Sequence, residues 1–313
     1  MPLSLRRGTV TAIAEEHEGL IRCTVDDEPC IGYPELTGPL AVGDEVIVNV
    51  QARELALGSG GFDVVHANLT QGLGLPPQAG AHVMKLPYTS VQFARRHGEE
   101  ELELPESLDG MPVVACSLHS QVAPACAALR GLRVVYVQLE GGALPVELSD
   151  SLRELRREGL LEQTIGSGAC FGGDVDCVNV YSALVVARAL GAEAAVCAIG
   201  PGVVGTGTRL GHGGMAAAVA IAAARALGGR PVLAVRVSEG DARERHRGVS
   251  HHSEAILSLF GDAAAVASEA DASGWRKACD GLTLSHMGRG PDDDPAFFAA
   301  AYAAGVRARS LLG

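Results

Sequence analysis

The sequence predicts an α/β protein: a Rossmann-like, mostly parallel sheet with flanking helices, preceded by a small N-terminal β-barrel-like module. Two observations carry this. Residues 1–70 read as short strands broken by turns, with no helical pattern between them. From residue 111 apolar strand-like runs alternate with helix-length segments, the texture of βαβ units. Composition agrees, since 47% of the residues are hydrophobic and only 4% aromatic, with Ala and Val prominent. Small side chains of this kind suit helices packed closely on a parallel sheet.

In the first part, strands are expected over 9–14, 20–25, 45–50 and 62–67, separated by Glu18-Gly19, Asp26-Asp27, Gly43-Asp44 and the turn at 58–61. Closely spaced strands without helices suggest a barrel or a strongly bent sheet. Residues 71–110 read as a connecting segment, marked by Pro76-Pro77, Gly80 and the acidic run from Glu99 to Glu103, with one extra strand over 82–86. Residues 111–313 form the α/β domain. Its strands are expected over 112–117, 133–138, 161–165, 194–199, 231–237, 263–267 and 281–284. Its helices are expected over 122–129, 149–158, 177–190, 214–227, 253–260 and 295–312. The last helix has a start signal in residues 292–294, all Asp, followed by Pro295.

Charge narrows the function classes. A net charge of −12 argues against a nucleic-acid partner, which needs a basic footprint, and against an anionic membrane surface. The N-terminus lacks a signal-peptide-like apolar stretch, and the longest apolar run, 215–224, is too short to cross a bilayer. The eight cysteines show no CxxC pair and read as reduced thiols, so a cytoplasmic protein is expected.

The unusual residues fall after the strands. His119 follows the first, and Glu140-Gly141-Gly142 the second. A glycine-rich run ending in Gly173-Asp174 follows the third, and Gly200-Pro201-Gly202-Val203-Val204-Gly205-Thr206-Gly207-Thr208 the fourth. The fifth leads to Arg245-His246-Arg247-Gly248-Val249-Ser250-His251-His252, and the last to His286 and Arg289. In open α/β sheets ligands bind outside the strand carboxyl ends, so this edge is the expected site.

The segments GGALP, FGGD, GPGVVGTGTR, RHRGVSHHS and SHMGRGPDDDPAFF, with GTVTAI and AVGDEVIVNV near the start, resemble those of a bacterial family, the domain of unknown function numbered 3866. The resemblance runs over the whole length and implies no particular activity.

From the residues themselves, Gly200–Gly205 matches G-x-G-x-x-G between a strand and a helix. It is read as a dinucleotide cradle, a cradle for another phosphate or carboxylate through Thr206 and Thr208, or a structural loop. Arg245, Arg247, Ser250 and Arg289, with Gly141, Gly142, Gly173, Asp174, Gly200, Gly202, Gly205 and Gly207, are the anion-binding candidates. Arg247 and Arg289 are expected to converge. His119, His286 and His251 are the candidates for proton transfer. His251 and His252 are expected to diverge on their helix, so that one at most enters the site. Donors for a metal are present in His119, Asp174, Asp176, His212, His246, His251 and His286, but no HExxH or HxH spacing assigns a metal. Cys170 and Ser167 are weak candidates for a nucleophile. The leading functional reading is an enzyme acting on a small anionic metabolite. A regulatory module binding a nucleotide or dinucleotide and a metal-dependent hydrolase are the alternatives. Catalysis itself, the cofactor and homo-oligomerisation stay open.

Overall fold

The computed structural model describes residues 3–57, 60–71 and 74–312. Gly58 and Ser59 of the expected turn lie outside the described residues. The chain divides into two compact units, Met1–Arg95 and Arg96–Gly313.

The first unit contains a closed barrel of five strands: β1 (Leu5–His17), β2 (Leu20–Val25), β3 (Glu28–Gly32), β4 (Glu45–Asn49) and β5 (Asp63–Asn68), in the order β1-β2-β3-β5-β4. Alternation puts Val10, Ile21, Cys23, Val25, Val46, Val48 and Val65 inside. One-turn helices α1 (Pro34–Thr37) and α2 (Gln51–Glu54) occupy the connections. The turn before β4 is locked by buried Asp44, which accepts hydrogen bonds from Ala41 N at 2.9 Å and from Asn68 Nδ2 at 2.9 Å. Strand β3 was not expected from sequence. Its Pro and two charged flanks hide it, while Asp26 and Asp27, both at positive φ, make the tight hairpin that creates it. The extra strand expected over 82–86 is β6 (Val83–Lys85), paired with β7 (Phe93–Arg95).

After the one-turn helix α3 (Gly98–Glu101), the second unit builds a sheet of seven parallel strands. These are β8 (Pro112–Cys116), β9 (Val134–Leu139), β10 (Gln163–Ser167), β11 (Val175–Cys177), β12 (Ala194–Ile199), β13 (Arg230–Ala234) and β16 (Ala265–Val266). Their order is β11-β10-β9-β12-β8-β13-β16. The short pair β14 (Val237–Ser238) and β15 (Gly248–Val249) stands apart from it. The strands are buried on both faces and read as continuous apolar runs, as parallel strands do. Helices α4 (Val122–Ala128), α5 (Asp150–Arg157) and α10 (Pro295–Arg309) cover one face. Helices α6 (Val180–Ala189), α7 (Ala216–Ala226) and α8 (His251–Phe260) cover the other, and α9 (Trp275–Ala278) is a single turn.

Chain direction explains the two faces. From β8 the chain moves outward to β9, β10 and β11; from β12 it moves the opposite way, past β8 to β13 and β16. Crossovers of fixed hand put the helices of opposite movements on opposite faces. The loops after β8 and β12, neighbouring central strands, therefore diverge and leave a crevice between them. In dinucleotide-binding sheets the first strand lies between the second and the fourth, whereas here β12 separates β8 from β9.

Residues 281–284 do not form the expected strand. Thr283 N and Oγ1 donate to the Glu154 carboxylate at 3.0 and 2.9 Å, so a side chain of α5 takes the place of a ladder. Strand β11 was not expected, being only three residues long after a glycine-rich loop.

Gly305 lies where α10 crosses α4, and a Cβ there would press on the Ala128 side chain and the Ala125 carbonyl. Gly305→Ala would stabilise an isolated helix by about 1 kcal/mol. Here it is expected to destabilise the protein by about 1–3 kcal/mol through overpacking, measured as a lower urea midpoint.

Candidate functional site

The carboxyl ends of the central strands are fixed by side chains that satisfy one another. Gln121, fully buried, donates to Ala234 O at 2.9 Å and accepts from Leu118 N at 3.1 Å, tying the ends of β8 and β13. Gln138 donates to the Ala143 and Leu144 carbonyls at 3.0 and 2.9 Å and so folds the loop after β9. Gly142 and Gly200 meet where two loops cross, since a Cβ on either would overlap a carbonyl of the other loop. Gly141 packs in the same way on Gly213, and Gly205 on His212. Gly141, Gly142, Gly200 and Gly205 therefore serve loop contact, a close-approach reading of glycine that needs no ligand.

His119 lies beside this crossing. Its Nδ1 is 3.2 Å from Ile199 O and its Nε2 is 2.6 Å from Ser149 Oγ. Ser149 also accepts from Leu152 N as the cap of α5. Burial lowers the His119 pKa to about 4, and the ring is neutral with both nitrogens engaged. The structure gives it a bracing position between β12 and α5 and leaves neither nitrogen for proton transfer.

The segment after β13 is organised by Arg236, which is 2% exposed. Its Nη2 lies 3.4 Å from Asp241 Oδ2 and its Nη1 lies 3.3 Å from His252 Nδ1. Burial, then the Arg243 charge, lowers its pKa to about 10. Asp241, also 2% exposed, receives Arg243 Nη2 at 2.8 Å and Arg289 Nη2 at 3.4 Å. The hydrogen bond from Arg243 holds Asp241 far below the usual carboxylate range. Arg289 Nε reaches Asp294 at 3.1 Å, and Asp294 also accepts from Ser238 Oγ at 2.5 Å and Glu239 N at 3.1 Å. Burial pushes Asp294 upward, but these donors, Ser238 foremost, bring it below its ordinary value.

This overturns the expected convergence of Arg247 and Arg289. Arg289 turns inward because the buried carboxylates of Asp294 and Asp241 need donors away from water. Ser250 is likewise occupied: its Oγ is 2.7 Å from His246 Nδ1 and accepts from His252 N as the cap of α8. Arg245 and Arg247 remain exposed, and among the described residues neither has an ion-pair partner.

Around Arg236 four histidines gather. The rings of His212 and His252 stack at 3.7 Å. His251 lies 4.5 Å from His252 and 5.5 Å from His212. His246 lies 4.8 Å from His251. The expected divergence of His251 and His252 does not occur. They occupy the first two positions of α8, where His212 from the loop after β12 supplies a common wall for both rings. Burial, then the charges of Arg236 and Arg243, lowers His246 to about 3. Burial and the facing His212 lower His252 to about 2. Burial, followed by the nearby Arg245 charge, holds His251 below its ordinary value.

The loop after β12 folds back on itself. Thr206 N donates to Gly211 O at 2.8 Å, and the hydroxyls of Thr206 and Thr208 bond each other at 2.9 Å. Helix α7 begins only at Ala216, so the glycines of the G-x-G-x-x-G match do not run into a helix N-terminus. Gly202 and Gly207 take positive φ at the exposed surface of this loop. Arg245 Cζ comes within 4.0 Å of where a Cβ on Gly207 would stand.

His286 is buried. Its Nδ1 is 3.2 Å from Ser120 Oγ, its ring stacks on Phe297 at 3.8 Å, and its buried Nε2 has no partner among the described residues. Burial, then the charges of Arg236 and Arg289, lowers its pKa to about 3. Gly173 and Asp174 fall elsewhere. Asp174 accepts from Thr164 N at 2.7 Å and binds Arg156, at the amino end of β10, because the loop returns there to start β11. Ser167 is buried and donates to Gln138 O, and Cys170 is buried. Asp241 and Asp294 escaped the site reading, and Arg236, expected only as a cation for the ligand, is their buried partner. A lone Arg inside the apolar run from Val232 to Val237 was the available signal for a buried ion network.

His119 and His286 make stability depend on pH. Their folded pKa values lie below the unfolded value of about 6.5, so the unfolded state binds more protons between those limits. Their contribution is full above pH 6.5 and is lost as pH falls toward 4 and 3. The urea midpoint is expected to drop between pH 7 and pH 5, where carboxylates stay ionised, and to drop less in His119→Asn.

No curated protein matches this chain. Residues 30–274 match the family described as Protein of unknown function (DUF3866), from the middle of β3 through the last two barrel strands and all seven strands of the parallel sheet. The chain belongs to that family.

Proposed function

We propose that the protein is a cytoplasmic enzyme acting on a small anionic metabolite bound at the carboxyl ends of the parallel strands. The observation that carries this is the approach of Arg245 to the exposed turn at Gly207, with its charge also felt at His251. Arg245 reaches the turn at Gly207, bears on the charge state of His251, and has no carboxylate partner among the described residues. An exposed guanidinium beside a glycine turn suits a phosphate or carboxylate. Arg247, two residues on and equally exposed, is the second cation of the proposal. Proton handling falls to His251 or to His286, each of which has a buried Nε2 without a partner among the described residues. The free state of all eight cysteines supports a reducing compartment, and among the described residues no helix is long and apolar enough to cross a membrane.

Inorganic phosphate and pyrophosphate serve as probes. Either is expected to raise the melting temperature at low salt, with the rise shrinking as salt increases. Arg245→Gln is expected to weaken the bound probe by about 1.5–3 kcal/mol, the scale of a charge-assisted hydrogen bond. Unchanged stabilisation in that variant would remove Arg245 from the site and the proposal with it.

A further inference from the structure

We propose that His212, His251 and His252 form a site for a divalent transition metal of the zinc class, with three imidazole ligands and an open fourth position. The ligands come from two segments, the loop after β12 and the first turn of α8, which lie far apart in sequence. One candidate ligand nitrogen from each residue lies within 4.8 Å of the others. A tetrahedral zinc with bonds of about 2.0–2.1 Å sets its nitrogens roughly 3.3 Å apart, so modest ring rotations close the set.

Two further observations point to a ligand rather than to a self-sufficient histidine cluster. His212 Nδ1 and His251 Nε2 are buried and have no hydrogen-bond partner among the described residues. Buried polar atoms in that state call for a partner the protein itself does not supply. His212 Nε2 lies 3.1 Å from the Arg209 carbonyl, to which its N–H donates. That bond fixes the tautomer, presents the Nδ1 lone pair, and is the support a metal-bound histidine usually has. His252 Nδ1 faces Arg236 Nη1 at 3.3 Å, a long contact that yields when the ring turns toward the metal.

The donor set selects the metal class. Three imidazoles with no carboxylate suit zinc and its neighbours rather than magnesium or calcium, which prefer oxygen. Three protein ligands leave a position for water or substrate, as in catalytic rather than structural zinc sites. Arg236 and Arg245 place positive charge beside the dication. An anion at the open position, hydroxide or an anionic group of the substrate, offsets it. The inference rests on the imidazoles and not on Arg245 or Arg247, and with His251 on the metal the proton handling of the anion proposal falls to His286.

The test uses the untagged full chain after chelator treatment, titrated with zinc chloride, and with cobalt chloride to read the visible spectrum. The expected result is one zinc per chain, a visible cobalt band, and no comparable uptake of magnesium. His251→Gln and His212→Gln are each expected to weaken zinc by more than the roughly 10–100-fold that loss of a supporting residue costs. Arg245→Gln is expected to keep the metal. His251 is only partly buried, so its variant decides the matter if His212→Gln fails to fold. Zinc uptake equal in the wild type and in His251→Gln, whether none in both or undiminished in both, would overturn the proposal.

Discussion

A guanidinium cannot be taken out of water without a partner, and Arg236 sits just past the carboxyl end of β13 with almost no exposure. Much of the site follows from that burial. Asp241 supplies the counter-charge and draws Arg243 and Arg289 to itself. Arg289 in turn reaches Asp294, which stands at the start of α10. Asp294 holds the backbone of residues 239 and 240, so the segment after β13, the segment around His286 and the last helix share one ion network. The other end of Arg236 faces His252 and lies among the histidines of α8. Removing one member of such a network leaves an uncompensated buried charge, a loss of about 3–5 kcal/mol.

That network also redistributes the positive charge of the edge. Three arginines share two buried carboxylates, so Arg236, Arg243 and Arg289 are spent on structure, while Arg209, Arg245 and Arg247 face solvent without a carboxylate among the described residues. Burial, and after it the excess cation, lowers the nearby imidazoles and keeps them neutral. Neutral imidazole ligates metals and accepts protons, whereas imidazolium does neither. The same residues thus bear on both the anion reading and the metal inference through one electrostatic cause.

The glycine segments divide into two kinds. Gly141, Gly142 and Gly200 let backbone cross backbone at the top of β9 and β12, which closes the crevice floor. Gly202 and Gly207 open outward on a loop whose threonines are bonded within the loop itself. Glycine enrichment at the strand ends therefore has a packing cause at Gly141, Gly142, Gly200 and Gly205, whereas Gly202 and Gly207 stand on the exposed surface of their loop.

Local signals in the sequence determined the architecture: strand periods in the barrel, apolar runs alternating with helix-length segments after it, and polar loops at one edge of the sheet. These depend on neighbours a few residues apart, which is why β12 was legible to the residue and α10 began where its Pro295 start signal placed it. Strand β3 and the absence of a strand over 281–284 were not legible, since a hairpin turn and a Glu154 side chain decided them. The site depended still more on contacts distant in sequence. Whether Arg289 faces a ligand or Asp241, whether His251 and His252 diverge or share a wall with His212, and whether Asp174 joins the edge or pins the opposite end of β10 are questions of which groups meet when burial forces charges to pair. Sequence spacing carries no record of those meetings, and only the tertiary structure, by fixing where each buried charge finds its partner, decided them.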